Sequence, residues 1–198
     1  MTGVTNILMA GVGGQGIVLA SDLVAEAALL AGYDVKKSEV HGMSQRGGAV
    51  DSHVRFGDKV HSPVIPKGEA DVVFSLETLE VIRFADHASA RAAAVYLDER
   101  ILPGGLDAYP EGVDEVISRR FGRVLRVRKA VLKERIGDRH AYNVAVVGVL
   151  SCLVAIPKEA FTHAIAHRVP RGTEPLNLMA FEVGRNLFEA HRGLAIPS

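Results

Sequence analysis

Apolar residues run together from Thr5 to Ala10, stop at Gly11, and resume at helical spacing over Ile17–Ala31 before Gly32. The pattern predicts a strand, a turn and a helix. Tyr33–Val40 predicts a second strand. Val50–Phe56 alternates apolar with polar residues, and Gly57-Asp58-Lys59 then leads into Val60–Val64, which together predict an antiparallel hairpin. Asp71–Leu76 is a continuous apolar strand followed by the helix-like Glu77–Ala85, and Ala94–Leu97 and Val124–Val127 predict the last two strands. Beyond them the chain reads as helical: Ala141–Ala155 closed by Pro157, then Lys158–His167, then Pro175–Ala190 after the irregular Val169–Thr173.

Strands alternating with helices favour right-handed βαβ units and a mostly parallel sheet, which the hairpin makes mixed. The expected fold is α/β: a Rossmann-like three-layer domain with a mixed sheet, a β-hairpin insertion and a helical C-terminal part. At 198 residues, 48% of them hydrophobic and 23% charged, the chain suits one substantial core, so residues 1–198 are read as a single domain. Ligands of such open sheets gather beyond the carboxyl ends of the strands. That places Gly11–Gly16, His41–Gly48, Ser75–Thr78 and Asp98–Gly105 around one crevice.

Charge narrows the partners. Twenty-three basic residues balance 23 acidic ones, so no global field draws the chain to nucleic acid or an anionic membrane, and small ligands or protein partners are expected. The single cysteine, Cys152, excludes an internal disulfide and falls short of the several thiolates an iron–sulfur cluster requires. The apolar stretches Ala141–Ile156 and Ile17–Ala31 are too short or too interrupted by charge to span a bilayer, and the N-terminus reads straight into a strand. A reduced, cytoplasmic protein is expected.

Two loops carry the candidate chemistry. Gly11-Val12-Gly13-Gly14-Gln15-Gly16 has the glycine spacing that lets backbone turn tightly and approach a pyrophosphate beside helix N-terminal amides. The same glycines could equally serve only to let helix pack on strand. A dinucleotide site would also want a carboxylate near the end of the second strand, where Glu39 lies. The second loop, Glu39-Val40-His41-Gly42-Met43-Ser44-Gln45-Arg46-Gly47-Gly48, concentrates a carboxylate, an imidazole, an amide and a guanidinium among three glycines. His41, Ser44, Gln45 and Arg46 are its polar candidates. Arg46 beside Gly47-Gly48 could present a planar fork to a carboxylate or phosphate, or could pair locally with Glu39. His53 and His61 flank the predicted hairpin, but further metal ligands at useful spacing are absent, and no metal site is expected. No serine elbow, His-Glu-x-x-His or lysine-bearing phosphate loop is visible, so no residue stands out as acid, base or nucleophile.

Together the two loops, with His53-Val54-Arg55-Phe56-Gly57, Ser62-Pro63, Ala70-Asp71-Val72-Val73, the Glu77 region and Asn143, resemble the gamma-type subunits of 2-oxoacid:ferredoxin oxidoreductases over nearly the whole chain. Within them the likeness is to the small (beta) subunit of indolepyruvate:ferredoxin oxidoreductases. The resemblance implies a pyruvate/ketoisovalerate-type gamma-like catalytic domain, inactive alone. Its partner would be a larger subunit carrying thiamine diphosphate and 4Fe-4S clusters, with ferredoxin reached indirectly and a 2-oxoacid and CoA as substrates. Loops 11–16 and 41–48 would face that partner, with Arg46 contacting an anion, Gly47 and Gly48 allowing its approach, and Gly13–Gly16 as a phosphate cradle or docking turn. A homodimer of the isolated subunit is an accompanying expectation. Two alternatives stand beside this reading: a stand-alone NAD(P)- or FAD-binding oxidoreductase, and a CoA- or nucleotide-responsive binding module.

Overall fold

A computed structural model describes residues 3–41 and 48–193. The elements in chain order are β1 (Thr5–Val12), α1 (Ile17–Leu30), β2 (Asp34–His41), β3 (Ala49–Gly57), β4 (Ala70–Ser75), α2 (Thr78–Arg83), β5 (Ala88–Asp98), α3 (Val113–Arg120), β6 (Arg123–Arg128), α4 (Lys129–Arg135), α5 (Tyr142–Ser151), α6 (Lys158–Arg168) and α7 (Glu174–Gly193). Six strands form one sheet in the order β2-β3-β1-β4-β5-β6. The β1–β4, β4–β5 and β5–β6 pairs are parallel, while β3 runs antiparallel to both β1 and β2. The mixed α/β sheet read from the sequence is therefore present.

The hairpin differs from the expectation. β3 pairs with β2 and β1, and Val60–Val64 forms no strand. Side chains, rather than a ladder, satisfy that segment: Asp34 accepts from Val60 N–H, Arg55 donates to the Ser62 and Val64 carbonyls, and His53 Nδ1 accepts from Ile65 N–H. Pro63 within it and Pro66 just beyond it have no N–H to offer a ladder. The same bonds occupy His53, whose Nε2 lies 3.2 Å from Asp51, while His61 is exposed.

Alternation along each strand separates two cores. On one face Ile7, Met9, Val54, Phe56, Phe74, Val95 and Leu97 pack beneath α1, α5, α6 and α7; on the other Leu8, Ala10, Val73, Ala94 and Tyr96 meet α2 and α3. Helix α5, Tyr-Asn-Val-Ala-Val-Val-Gly-Val-Leu-Ser, is buried on every side, as its all-round apolarity requires. It can lie so deep because α7 crosses it backbone against backbone. A Cβ added at Gly184 would sit 1.8 Å from the Ala145 carbonyl oxygen, and one at Gly148 would sit 2.2 Å from that of Phe181.

Neither obstacle is a side chain that can swing away. Gly184→Ala and Gly148→Ala are each expected to cost about 3 kcal/mol or more by overpacking, measured by urea denaturation. Gly122→Ala, in open space with no positive φ, is the control and should change stability by less than about 0.5 kcal/mol.

Candidate functional site

β1, β4, β5 and β6 are mutually parallel, so their carboxyl ends share one edge of the sheet. A crevice of about 480 Å³ opens there, between the turn after β1, Leu76 after β4, Glu99 and Ile101 after β5, and Lys129 after β6. Arg139, His140, Tyr142 and Asn143, at the start of α5, close it.

The glycine turn is built by its own side-chain strut. Gln15 Oε1 accepts from Val12 N–H at 2.7 Å and its Nε2 donates to the Leu76 carbonyl at 2.7 Å, joining the ends of β1 and β4. Both ends of the Gln15 amide are thus engaged within the protein. Gly11 is a packing glycine, since a Cβ there would lie 2.7 Å from Ile17 Cγ1. Gly14 (φ +97°) faces open space, and Gly16 (φ +83°) both turns left-handed and makes room for Asn143, whose Nδ2 would be 2.3 Å from an added Cβ. Asn143 Nδ2 donates to the Gly16 carbonyl at 3.2 Å and its Oδ1 accepts from Val144 N–H. No side chain caps α1, so its first-turn amides are left beside the crevice.

Of the residues singled out from sequence, Gly13, Gly14, Gln15, Gly16 and Gly48 come together: Gly13 N–H donates to the Gly48 carbonyl at 3.0 Å. His41 ends β2 opposite Val50, at the same edge. Ser44, Gln45, Arg46 and Gly47 lie outside the described residues. Glu39 is not beside the turn. It pairs in register with Ser52 of β3, which pairs in turn with Met9 of β1, so two inter-strand spacings, about 10 Å, separate it from β1. Lys37 Nζ binds Glu39 Oε1 at 2.5 Å.

The sequence reading missed the basic wall of the crevice, Lys129 and Arg139. Lys129 binds Glu99 at 2.6 Å, and Arg139 is exposed. The rule that ligands gather beyond strand ends, extended to β6, points to Lys129. Glu77, within the Ser75–Thr78 loop placed at the crevice from sequence, is buried to 2% exposure and accepts four hydrogen bonds: from Leu79 N–H, Glu80 N–H, Ile101 N–H and the Tyr109 hydroxyl. One carboxylate so caps α2 and pins the β5–α3 loop. Burial, and then the bond to Glu77, push the Tyr109 hydroxyl up, keeping it a donor. Behind it, Tyr96 is pushed up to about 12 by burial and by Asp114.

Among the described residues no group of three or more His, Cys, Asp or Glu side chains is arranged to hold a metal ion. Cys152 bonds the Gly148 carbonyl through Sγ, and burial pushes its thiol up.

A six-stranded mixed sheet with a glycine turn and an open crevice at its carboxyl edge defines the class, an α/β domain shared with oxidoreductase gamma subunits. The gamma subunit of a keto/oxoacid ferredoxin oxidoreductase from Geobacter sulfurreducens superposes with a TM-score of 0.69 at 23% identity, covering 94% of this chain and 99% of that one. A 2-oxoglutarate:ferredoxin oxidoreductase from Magnetococcus marinus superposes with 0.71 at 22% identity, covering 94% of this chain and 31% of that one. The chain belongs to the pyruvate ferredoxin/flavodoxin oxidoreductase family, which it matches over residues 6–187. It is 38% identical to the indolepyruvate oxidoreductase subunit IorB of Archaeoglobus fulgidus over 190 residues, 91% of this chain and 94% of that one. It is 31% identical to the 2-oxoglutarate synthase subunit KorC of Methanothermobacter thermautotrophicus, over 91% and 93% of the two chains. No helix among the described residues is long and apolar enough to cross a membrane.

One buried acid near the crevice makes a pH prediction. Glu80 has one oxygen on Arg83 at 3.1 Å and the other buried without a partner. Burial raises its carboxyl above the ordinary value of 4.5, Glu77 and Asp51 add to the rise, and Arg83 opposes it. A raised acid stabilises the fold while protonated, and that contribution is lost as pH rises through the raised value. Glu80→Gln, which mimics the protonated form, should therefore raise Tm by about 2–4 °C at neutral pH and match the wild type at about pH 4, followed by circular dichroism across pH.

Proposed function

We propose that this chain is the non-cofactor subunit of a 2-oxoacid:ferredoxin oxidoreductase that acts on an aryl pyruvate such as indolepyruvate. The observation that carries the reading is the convergence at one edge of the sheet: the turn Gly13–Gly16, the basic pair Lys129 and Arg139, and both ends of the 42–47 segment. The 38% identity to an indolepyruvate oxidoreductase subunit against 31% to a 2-oxoglutarate one, at equal coverage of this chain, supports that substrate class.

The residues present do not fit the redox groups. One half-buried cysteine stands where a 4Fe-4S cluster takes about four thiolates, and the sequence shows no Gly-Asp-Gly followed by paired asparagines of the kind that holds thiamine diphosphate. Those groups belong to the larger subunit in this proposal. What this chain offers is an anion-binding wall: first-turn amides of α1 across the glycines, with Lys129 and Arg139. Such a wall suits the phosphates of CoA or the carboxylate of the 2-oxoacid. A stand-alone nicotinamide enzyme is disfavoured because Glu39 stands two strands from the turn that would hold the pyrophosphate.

Co-expressed with its larger subunit, the chain should support reduction of ferredoxin by indolepyruvate and CoA, and alone it should be inert. Arg46→Ala in the assembled enzyme is expected to lower kcat/KM tenfold or more, equivalent to about 1.4 kcal/mol. The reading fails if the tagged chain from its native host brings down no thiamine- and cluster-bearing subunit, or if Arg46→Ala leaves assembly and turnover unchanged.

A further inference from the structure

The amino edge of the parallel strands, opposite the crevice, holds a second cavity of about 450 Å³, within the range of about 300–1,000 Å³ typical of small-ligand pockets. Its floor is the sheet itself: Phe56 of β3, Val72 of β4 and Ala93 of β5, all buried. Tyr33 and the α5–α6 connection, at Leu153 and Val154, roof it. The Tyr33 hydroxyl holds that roof in place by donating to the Ala155 carbonyl at 2.8 Å. Helix α5 thus spans the two cavities: Asn143 in its first turn closes the crevice, and the residues after its last turn cover this one.

Charge is unevenly spread around that floor. Arg91 and Arg123 line the cavity from neighbouring parallel strands, β5 and β6. Arg123 is in register with Ala93, and Arg91 precedes Ala93 by two residues, with Ala92 between them packed in the opposite core. Alternation therefore sets both arginine side chains on the floor's face of the sheet. Arg123 stacks over the Phe188 ring at 5.1 Å, and neither arginine has a carboxylate partner among the described residues. The acid on the wall, Asp71, accepts the Asn6 N–H at 2.8 Å, and burial pushes its carboxyl up. Two guanidiniums without a counter-ion beside an apolar floor match a ligand with one anionic end and one apolar end.

We propose that this cavity is a binding site, separate from the crevice, for a small carboxylate with an apolar body, its carboxylate on Arg91 and Arg123 and its body against Phe56, Val72 and Ala93. The site is independent of the function proposed above.

Titration calorimetry of the full chain with 3-phenylpropionate decides it. Saturable binding of one molecule per chain is expected. It should weaken about tenfold or more in Arg91→Gln/Arg123→Gln, folded by circular dichroism, and stay unchanged in Lys129→Gln/Arg139→Gln, which alters only the crevice. Amide resonances of Tyr33, Ala93 and Leu153–Ala155 should shift on binding, while those of Gly13–Gly16 stay in place. Phenethylamine, with a similar body and the opposite charge, should not bind. Phenylalanine should bind more weakly than 3-phenylpropionate, since its ammonium adds charge of the arginines' own sign. No saturable binding, binding indifferent to the Arg91/Arg123 change, loss of binding in the crevice variant, or equal binding of phenethylamine overturns the site. Tighter binding of phenylalanine overturns the ligand class, because it would set Asp71 against an ammonium.

Discussion

The crevice hangs on one side-chain amide acting across 127 residues of sequence, Asn143 on the Gly16 carbonyl. Asn143 does two jobs at once. Its Oδ1 takes Val144 N–H within the first turn of α5, while its Nδ2 fixes the last residue before α1. Gly16 must be glycine on two independent grounds, a φ of +83° and the 2.3 Å that would separate its Cβ from Asn143 Nδ2. Two helix N-termini are thereby brought to one point, and the uncapped first-turn amides of α1 bias that point toward anions. The position of Asn143 is in turn set by α5, whose depth is permitted by the glycine contact with α7. The route from Gly184 through Ala145 and Asn143 to Gly16 is a chain of close contacts with little room to relax.

A second constraint decides what kind of site this is. In a plain βαβ unit β2 lies beside β1, and a carboxylate at its end can reach a ribose near the glycine turn. Here antiparallel β3 is inserted between them. The insertion carries Glu39 away, and in exchange it brings the start of β3 against the turn, through Gly13 N–H on the Gly48 carbonyl. A backbone that resembles a dinucleotide fold thus sets the start of β3, not the Glu39 carboxylate, against the glycine turn.

The sequence made the strands of the parallel half legible because each is a short apolar run between breakers. It also revealed the C-terminal helices, through periodicity and Pro157. It did not reveal α3 or α4, which are short and rich in charge (Val-Asp-Glu-Val-Ile-Ser-Arg-Arg and Lys-Ala-Val-Leu-Lys-Glu-Arg), nor the first half of β5, where Ala88–Ala92 carries no strand preference. Alternation over Val50–Phe56 announced a strand without saying which neighbour it would pair with, and the nearer apolar segment, Val60–Val64, was the wrong one. At the site, the glycine spacing located the turn, yet the identities of its supports depend on contacts such as Gln15 to Leu76 and Gly16 to Asn143, 61 and 127 residues apart. Lys129 and Arg139 became part of the crevice for the same reason.

What those supports leave free determines what the chain can contribute to chemistry. Glu77, the deepest carboxylate near the crevice, is saturated by four donors, Gln15 has both ends of its amide engaged, and Lys129 is paired with Glu99. A general acid or base must be able to exchange its proton with a bound reactant, and a carboxylate holding two loops and a helix together cannot leave those bonds without loosening the wall. Among the described residues, the groups still available are backbone amides at Gly14–Gly16 and α1 and exposed Arg139. These bind and orient charge; they do not transfer electrons. Under the function proposed above, that inventory sets a division of labour in which this chain supplies shape and an anion-favouring surface and the larger subunit supplies the redox groups.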